Sequence, residues 1–521
     1  MKRMLIIMAA FAPGVAMAAP PAGFDARVEA IRRKVGVPGL AIAIVENGRT
    51  TLARGYGVRK LGEPTPVDAD TLFPTGSTGK AFTAAALATL VDAGTIGWDD
   101  RVIDRLPGFQ MYDPWVTREI TIRDLLVHRS GLGLGQGDLL FVPRSNIGRA
   151  EAVRRLRFLK PATSFRSGYA YDNVLYMVLG QLIEAVTGTT WEAYVRDHVL
   201  RPAGMARSTS GSEERFATTN RAFPHARLNG GLRGAGDQEV LDERDELARS
   251  AAPAGGLAVS ANDMAKWLSL QLAGGKLPRG RLFSEAAHDE MWRPTTIEPI
   301  APTSDALKPT QPTHSEYALG WELQDYRGSR IVWHSGAVFG FKTVVVLIPD
   351  RNVGFSIEMN SEDGELARGL MFELLDHYLD LPADRWPEKV IEYKRELVAG
   401  GLKALSAKGV RPAKVGPSLA PSQYAGTYTD PWYGDIRVGT SGKGLTIDFT
   451  STPRMEGRLE HWQYDTFVTR FDDRALEPAY VTFGLAADGS IDRVTMKAVS
   501  PIVDFSWDYQ DLLFTPVKLR P

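Results

Sequence analysis

At 521 residues the chain is long for one domain, and 44% apolar with 24% charged residues is the balance of a folded globular protein. A formal net charge of -1 gives no electrostatic reason to expect a nucleic acid or an anionic membrane as partner. The absence of cysteine excludes disulfides, thiol catalysis, thiolate metal sites and a lipid-anchored cysteine.

The opening residues read as an export signal. Lys2 and Arg3 form a positive start, Met4 to Ala12 an apolar run, and Ala16-Met17-Ala18 a cleavage site, so residues 1–18 are expected to be removed and the protein to be periplasmic or secreted. No later segment has the roughly 20 apolar residues of a spanning helix. Residues 39–57 alternate around Glu46-Asn47-Gly48 and predict a β-hairpin. The turn at Pro74 and Gly76 then runs into Ser77-Thr-Gly-Lys80 and an alanine-rich stretch, where Phe82, Ala86 and Leu90 predict a buried helix opened by Ser77.

Thr121 to Gly131 predicts a helix closed by glycine, followed by the loop Gly133-Leu-Gly-Gln-Gly137, which lacks a dinucleotide fingerprint. The arginine-rich run 147–159 has helical spacing and reads as a solvated face. Tyr171-Asp172-Asn173 precedes an apolar helix ending at Gly188, residues 213–250 read as long loops, and Ser260 caps a helix over 264–272 with Asp263 in capping-box position. Strands are predicted at 331–334, 342–348 and 353–359, then a helix over 365–379. An early hairpin, helices in the middle and late strands predict an α/β (α+β) domain over 19–400, its sheet assembled from sequence-distant halves and flanked by helices with a helical subdomain. Residues 401–420 read as a linker, and 421–521, with short alternating runs between Gly/Asp turns, as a small all-β barrel-like domain. Trp432, Trp462, Phe467 and Trp507 are expected in that domain's core.

Chemistry concentrates at Ser77 and Lys80. A spacing of i,i+3 sets the two side chains on one helix face, a desolvated lysine can activate a serine hydroxyl, and a helix start supplies free N–H groups for an anion. By itself the tetrad is more simply read as Ser77 serving as an ordinary helix cap. A phosphate loop is excluded, since Pro74 occupies the first glycine position and Ala81 that of the Mg²⁺-binding hydroxyl. Neither H-E-x-x-H nor G-x-S-x-G occurs, which leaves no zincin or α/β-hydrolase elbow motif.

Three motifs in order, Ser77-Thr-Gly-Lys80, Tyr171-Asp-Asn173 and His334-Ser-Gly336, resemble the active-site motifs of the serine β-lactamase and penicillin-binding-protein superfamily. The Y-x-N form resembles the class C enzymes and their esterase, D-aminopeptidase and D-Ala-D-Ala carboxypeptidase relatives. The resemblance covers about residues 24 to 385, and the tail resembles a lipocalin-like domain. It implies Ser77 as acylated nucleophile, Lys80 as its base and Tyr171 as partner in proton transfer. Asn173 would bind Lys80 and substrate, His334 line the strand, Gly336 leave room for substrate, and the N–H groups of Ser77 and Ala337 form the oxyanion hole. No cofactor or metal is implied, and the partners are small-molecule or peptide substrates, peptidoglycan fragments among them.

The implied function is an exported serine hydrolase of esters or D-residue-containing peptides and amides. The alternatives are a D-Ala-D-Ala carboxypeptidase or β-lactamase of cell-wall metabolism, and a non-catalytic peptidoglycan-binding or sensing protein. Histidine at 334, where many relatives carry lysine, predicts weak recognition of substrate carboxylates, strengthening as pH falls through about 6.5. The linker predicts that residues 24 to about 400 hold the complete chemistry.

Overall fold

The structure is a computed structural model describing residues 20–245, 247–408, 415–442 and 444–517. The main elements are α1 (Phe24–Val35), β1 (Gly39–Glu46), β2 (Arg49–Gly57), α2 (Lys80–Asp92), α3 (Val174–Thr187), α4 (Ala261–Leu272), β3 (Thr296–Ile297), β4 (Ser315–Tyr317), β5 (Glu322–Tyr326), β6 (Ser329–Val338), β7 (Phe341–Ile348), β8 (Val353–Met359), α5 (Glu365–Tyr378) and α6 (Trp386–Lys408). The strands form one antiparallel sheet in the order β2-β1-β8-β7-β6-β5-β4-β3. The early hairpin therefore joins the late strands directly, with Leu40 opposite Met359 and Ile44 opposite Phe355.

Period-two alternation in β1 explains how the sheet is covered on both faces. Leu40, Ile42 and Ile44 pack with Val28 of α1 and Leu370 and Leu374 of α5. Ala41, Ala43 and Val45 face the other core, which contains Phe82 and Trp267. The α2 helix lies inside this second core, with Lys80 and every residue from Ala81 to Ala88 buried. Alanine suits such a helix, because small side chains let neighbours approach on all sides. Phe82 stacks on Trp267 of α4 with centroids 3.8 Å apart, an arrangement worth about 0.5–1.5 kcal/mol beyond its burial.

From Gly426 the alternation resolves into the strands of a closed antiparallel barrel: β9 (Gly426–Asp430), β10 (Gly434–Ser441), β11 (Gly444–Phe449), β12 (Glu456–Gln463), β13 (Thr466–Phe471), β14 (Ala479–Leu485), β15 (Ile491–Ala498) and β16 (Leu513–Pro516). Closure comes from β9 pairing with β16, Tyr428 opposite Pro516, which removes both sheet edges. Ile436, Phe449, Val481, Phe483, Val494 and Phe514 are buried, as the alternation requires.

Several expectations need correction. The helix at 121–131 is short, Ile122–Leu126, because a Thr121/Asp124 capping box opens it and His128, at φ 56°, turns the chain away. Ser260 caps α4, but the Asp263 carboxylate accepts from the Arg207 and Ser208 N–H groups instead of closing a capping box. The arginine-rich segment is not simply solvated: Arg149 is buried against Glu184 and Glu192, and Arg155 donates to the Trp432 and Tyr433 carbonyls of the barrel domain. Residues 401–408 continue α6, so the expected linker starts later, and its residues 409–414 lie outside the described residues. Trp507 is buried at the interface, its ring 5.9 Å from Phe339 of the α/β domain, while Trp462 is only half-buried. The expected signal segment, 1–18, also lies outside the described residues. Among the described residues no helix is long and apolar enough to cross a membrane.

Candidate active site

Ser77 sits in a single 3-10 turn, Gly76–Gly79, that feeds directly into α2. Its hydroxyl does not cap the turn and is hydrogen-bonded with Lys80, Nζ to Oγ 3.1 Å. The turn is pressed against β6. A methyl group on Gly336 would lie 2.1 Å from the Thr75 carbonyl oxygen and 3.1 Å from Ser77 N, and one on Gly76 would lie 2.5 Å from Ala337 N. Close backbone approach by itself therefore calls for glycine at 336. The same approach brings the backbone nitrogens of Ser77 and Ala337 to one place. Thr343 of β7 fastens the turn by donating to the Thr75 carbonyl at 2.6 Å.

Lys80 is fully buried, and its Nζ has three polar neighbours: Ser77 Oγ, Asn173 Oδ1 at 2.6 Å and the Ala254 carbonyl at 3.1 Å. It also stands over the ring faces of Tyr171 and Tyr176, 4.7 and 5.0 Å from their centroids. Burial pushes its pKa down to about 7, with the Asp138 and Asp172 carboxyls opposing the shift. A neutral amine has two protons and one lone pair. Two of the neighbours, an amide oxygen and a carbonyl, can only accept, so the protons go to them and the lone pair is left for Ser77.

Tyr171, Asp172 and Asn173 immediately precede α3 and divide their work. Asn173 Nδ2 donates to Asp138 Oδ2 at 2.8 Å, which turns its carboxamide oxygen toward Lys80. Asp172 accepts from Ser130 Oγ, and burial raises its pKa to about 7; Asp138 is raised to about 7 for the same reason. Among the described residues the Tyr171 hydroxyl has no hydrogen-bond partner of good geometry. Burial pushes its pKa well above 10, opposed chiefly by the nearby Ser77 hydroxyl, so it is a proton donor rather than a standing phenolate.

His334 departs from expectation. Its Nδ1 donates to its neighbour's carbonyl, Ser335 O at 2.6 Å, so Nε2 is the acceptor and receives the Tyr317 hydroxyl at 2.8 Å. Both nitrogens are occupied, and burial together with the Lys80 charge pushes the pKa down to about 3. The ring remains neutral across physiological pH and holds Tyr317, leaving nothing to offer a substrate carboxylate. Accordingly, KM for a carboxylate-bearing substrate should stay level between about pH 5 and 8, as steady-state kinetics would register, instead of falling through 6.5.

Sequence reasoning missed Asp138, Tyr317, Ser506 and Asp508. Asp138 follows the glycine loop 133–137, which lies along Tyr171 through Gly135 N to Tyr171 O at 2.8 Å. Tyr317 comes from β4, too short a strand to stand out, and its ring meets His128 at 4.4 Å.

The beta-lactamase family profile matches residues 24–378. The chain belongs to the beta-lactamase family. Within that family it is similar to unguisins hydrolase ungD' of Aspergillus campestris, 31% identical over 419 residues that cover 77% of this chain and 74% of the relative. Penicillin-binding protein 4 of Amycolatopsis lactamdurans is 30% identical over 374 residues, 70% of this chain and 92% of the relative. In fold, the chain resembles the octameric penicillin-binding protein homologue from Pyrococcus abyssi, with a TM-score of 0.60 at 20% identity, covering 92% of this chain and 98% of that one. Residues 410–516 match a domain of unknown function, DUF3471. This beta-lactamase-family chain therefore carries the family's region and the barrel in one polypeptide.

Proposed function

We infer that the protein is an exported serine hydrolase that forms an acyl-enzyme on Ser77 and acts on esters or on D-residue-containing peptides and amides. The observation that carries this reading is the Lys80 amine: its pKa is depressed to about 7, its protons are committed to two acceptors, and its lone pair is 3.1 Å from Ser77 Oγ. In the first half-reaction Ser77 Oγ bonds to the substrate carbonyl carbon as its proton passes to Lys80 Nζ. The carbonyl oxygen becomes an oxyanion between the N–H groups of Ser77 and Ala337. Collapse expels the alcohol or amine, which takes the proton from Lys80 with the Tyr171 hydroxyl as relay. Water then repeats the sequence on the acyl-enzyme, using the same base.

The names of the relatives, a hydrolase and a penicillin-binding protein, support the reaction class. The neutral, fully engaged His334 favours esters and amides without a free α-carboxylate over penicillins or D-Ala-D-Ala termini. A screen of p-nitrophenyl esters, D-amino-acid amides and a chromogenic cephalosporin, with mass spectrometry of the trapped adduct, tests both points. Ester or amide turnover with an adduct on Ser77 is expected. Cephalosporin as the preferred substrate would overturn the specificity, and an adduct on another residue the mechanism.

Gly336→Ala probes the oxyanion site. The new methyl would have to push back the Thr75 carbonyl and Thr343 Oγ1, at 2.1 and 2.3 Å, and the Ser77 turn would move with them. Overpacking of this kind destabilises by about 1–3 kcal/mol. Misplacing the donors should slow labelling of Ser77 by a fluorophosphonate about 100-fold. Melting curves and stopped-flow labelling would measure the two effects.

A further inference from the structure

The barrel reaches into the catalytic domain through the segment that joins β15 to β16. Asp508 accepts the backbone N–H groups of Gly137 at 2.6 Å and Leu139 at 3.0 Å, so it grips the chain on either side of Asp138. Ser506 Oγ donates to Asp138 Oδ2 at 2.8 Å, the same oxygen that receives Asn173 Nδ2. Phe505 stands edge-on to Tyr171, centroids 5.8 Å apart, and approaches Gly135 so closely that a methyl there would fall 2.7 Å from its ring. Asp138 and Asp508 are both completely buried.

A carboxamide can present either its oxygen or its nitrogen, and only the oxygen leaves the Lys80 lone pair facing Ser77. What fixes the choice is an acceptor behind Asn173. Asp138 Oδ2 is such an acceptor whether or not Oδ1, which has no partner among the described residues, holds a proton. The hydrogen bonds therefore run without a gap from the barrel to the nucleophile: Ser506 to Asp138, Asp138 to Asn173, Asn173 to Lys80, Lys80 to Ser77. Elsewhere the barrel docks by more exposed polar contacts, such as Arg454 with Asp242 at 2.7 Å and Arg233 with the Ala475 carbonyl at 2.6 Å. Docking alone does not call for buried carboxyls beside the catalytic amine, where desolvation is costly.

We propose that the C-terminal barrel completes the catalytic site, with Ser506 and Asp138 as positioning residues that lock the Asn173 carboxamide so that Lys80 can act as base on Ser77. This rests on the serine-hydrolase reading for its catalytic consequence but not for the lock itself. The groups facing Lys80 are Ser77, Tyr171, Tyr176, Asp138, Asp172, Asn173, His128 and His334; those facing Asp138 are Asn173, Ser506, Lys80, Asp504 and Asp508.

The test uses the full chain and the variants Asp138→Leu, which removes the acceptor behind Asn173, Ser506→Ala, Ser506→Thr and Arg454→Ala. The Lys80 titration is followed by ¹³C NMR of labelled lysine, assigned with Lys80→Met, alongside kcat and KM for an ester substrate. Asp138→Leu should shift the Lys80 titration downward, since the carboxyl supports the ammonium. It should lower kcat about 10- to 100-fold with little change in KM. Ser506→Ala, which changes no charge, should move the Lys80 titration and lower kcat about 10-fold, Ser506→Thr should restore both, and Arg454→Ala should match the wild type. Wild-type titration and kcat in Ser506→Ala would overturn the proposal, as would an equal loss in Arg454→Ala, which would mean that docking in general is responsible. If the wild-type protein neither turns over an ester nor labels at Ser77, the hydrolase reading fails, and the Lys80 titration still decides the lock: a shift in Ser506→Ala that Ser506→Thr reverses sustains it, and a wild-type titration in Ser506→Ala refutes it.

Discussion

Ser77→Ala should abolish turnover and covalent labelling together while leaving the fold intact. The hydroxyl makes no capping bond and is hydrogen-bonded with Lys80, so its loss should lower stability by about 0.5–1.5 kcal/mol. The packing that holds the turn, Gly336 against Thr75 and Thr343 on the Thr75 carbonyl, involves no atom of the Ser77 side chain. Removing an activated nucleophile lowers kcat by on the order of 10⁴- to 10⁶-fold, because the remaining parts have no atom to acylate. Intact-mass measurement after a fluorophosphonate probe should show one adduct on the wild type and none on the variant, with coincident melting curves. An adduct that survives the substitution would place the nucleophile elsewhere.

How much of this was legible in the chain follows from the range of each signal. The hairpin of β1 and β2, the strands β7 and β8 and the helix α5 carry their own periodicity and turns, and they stand close to their expected bounds, whereas β6 runs over Ser329–Val338 against an expected 331–334. Ser77, Lys80, Tyr171 and Asn173 belong to motifs of fixed local spacing, and the fold brings them together. The short strands β3 to β5 have no such signal, so Tyr317, held by His334, could not be anticipated. A free-solution pKa does not hold for His334 because burial is not a local property; the ring is buried, with the Lys80 charge nearby, and both push its pKa down. The contacts of the barrel with the chain around Asp138 escape sequence reasoning for a related reason. Asp138 and Asp508 are 370 positions apart by number, and the hydrogen bonds that Asp508 makes to Gly137 and Leu139 leave no trace in either segment's pattern.

Lys80→Met should be nearly as damaging to catalysis as loss of the serine, and it carries a pH signature that the serine variant lacks. Methionine fills much of the same volume but supplies no lone pair to Ser77, and loss of a general base is worth about 10²- to 10⁴-fold in kcat. In the wild type, acylation should be slow below pH 7, where the amine is protonated, rise through about 7, and level off above it. Asp138 and Asp172 are also raised to about 7, so the inflection belongs to the cluster as a whole. In the variant the carboxyls still titrate but no base remains for them to influence, and the residual labelling rate should lose the inflection. Stability should respond as well. The unfolded chain keeps the lysine proton up to about pH 10.4, whereas the folded chain releases it near 7. Between those values the unfolded state binds more protons, so the lysine makes wild-type stability fall as pH drops through that window. Denaturant midpoints of the wild type measured from pH 7 to 10 should show this slope, and those of Lys80→Met should show it reduced. An unchanged slope together with an unchanged pH–rate profile would remove Lys80 from the role of base.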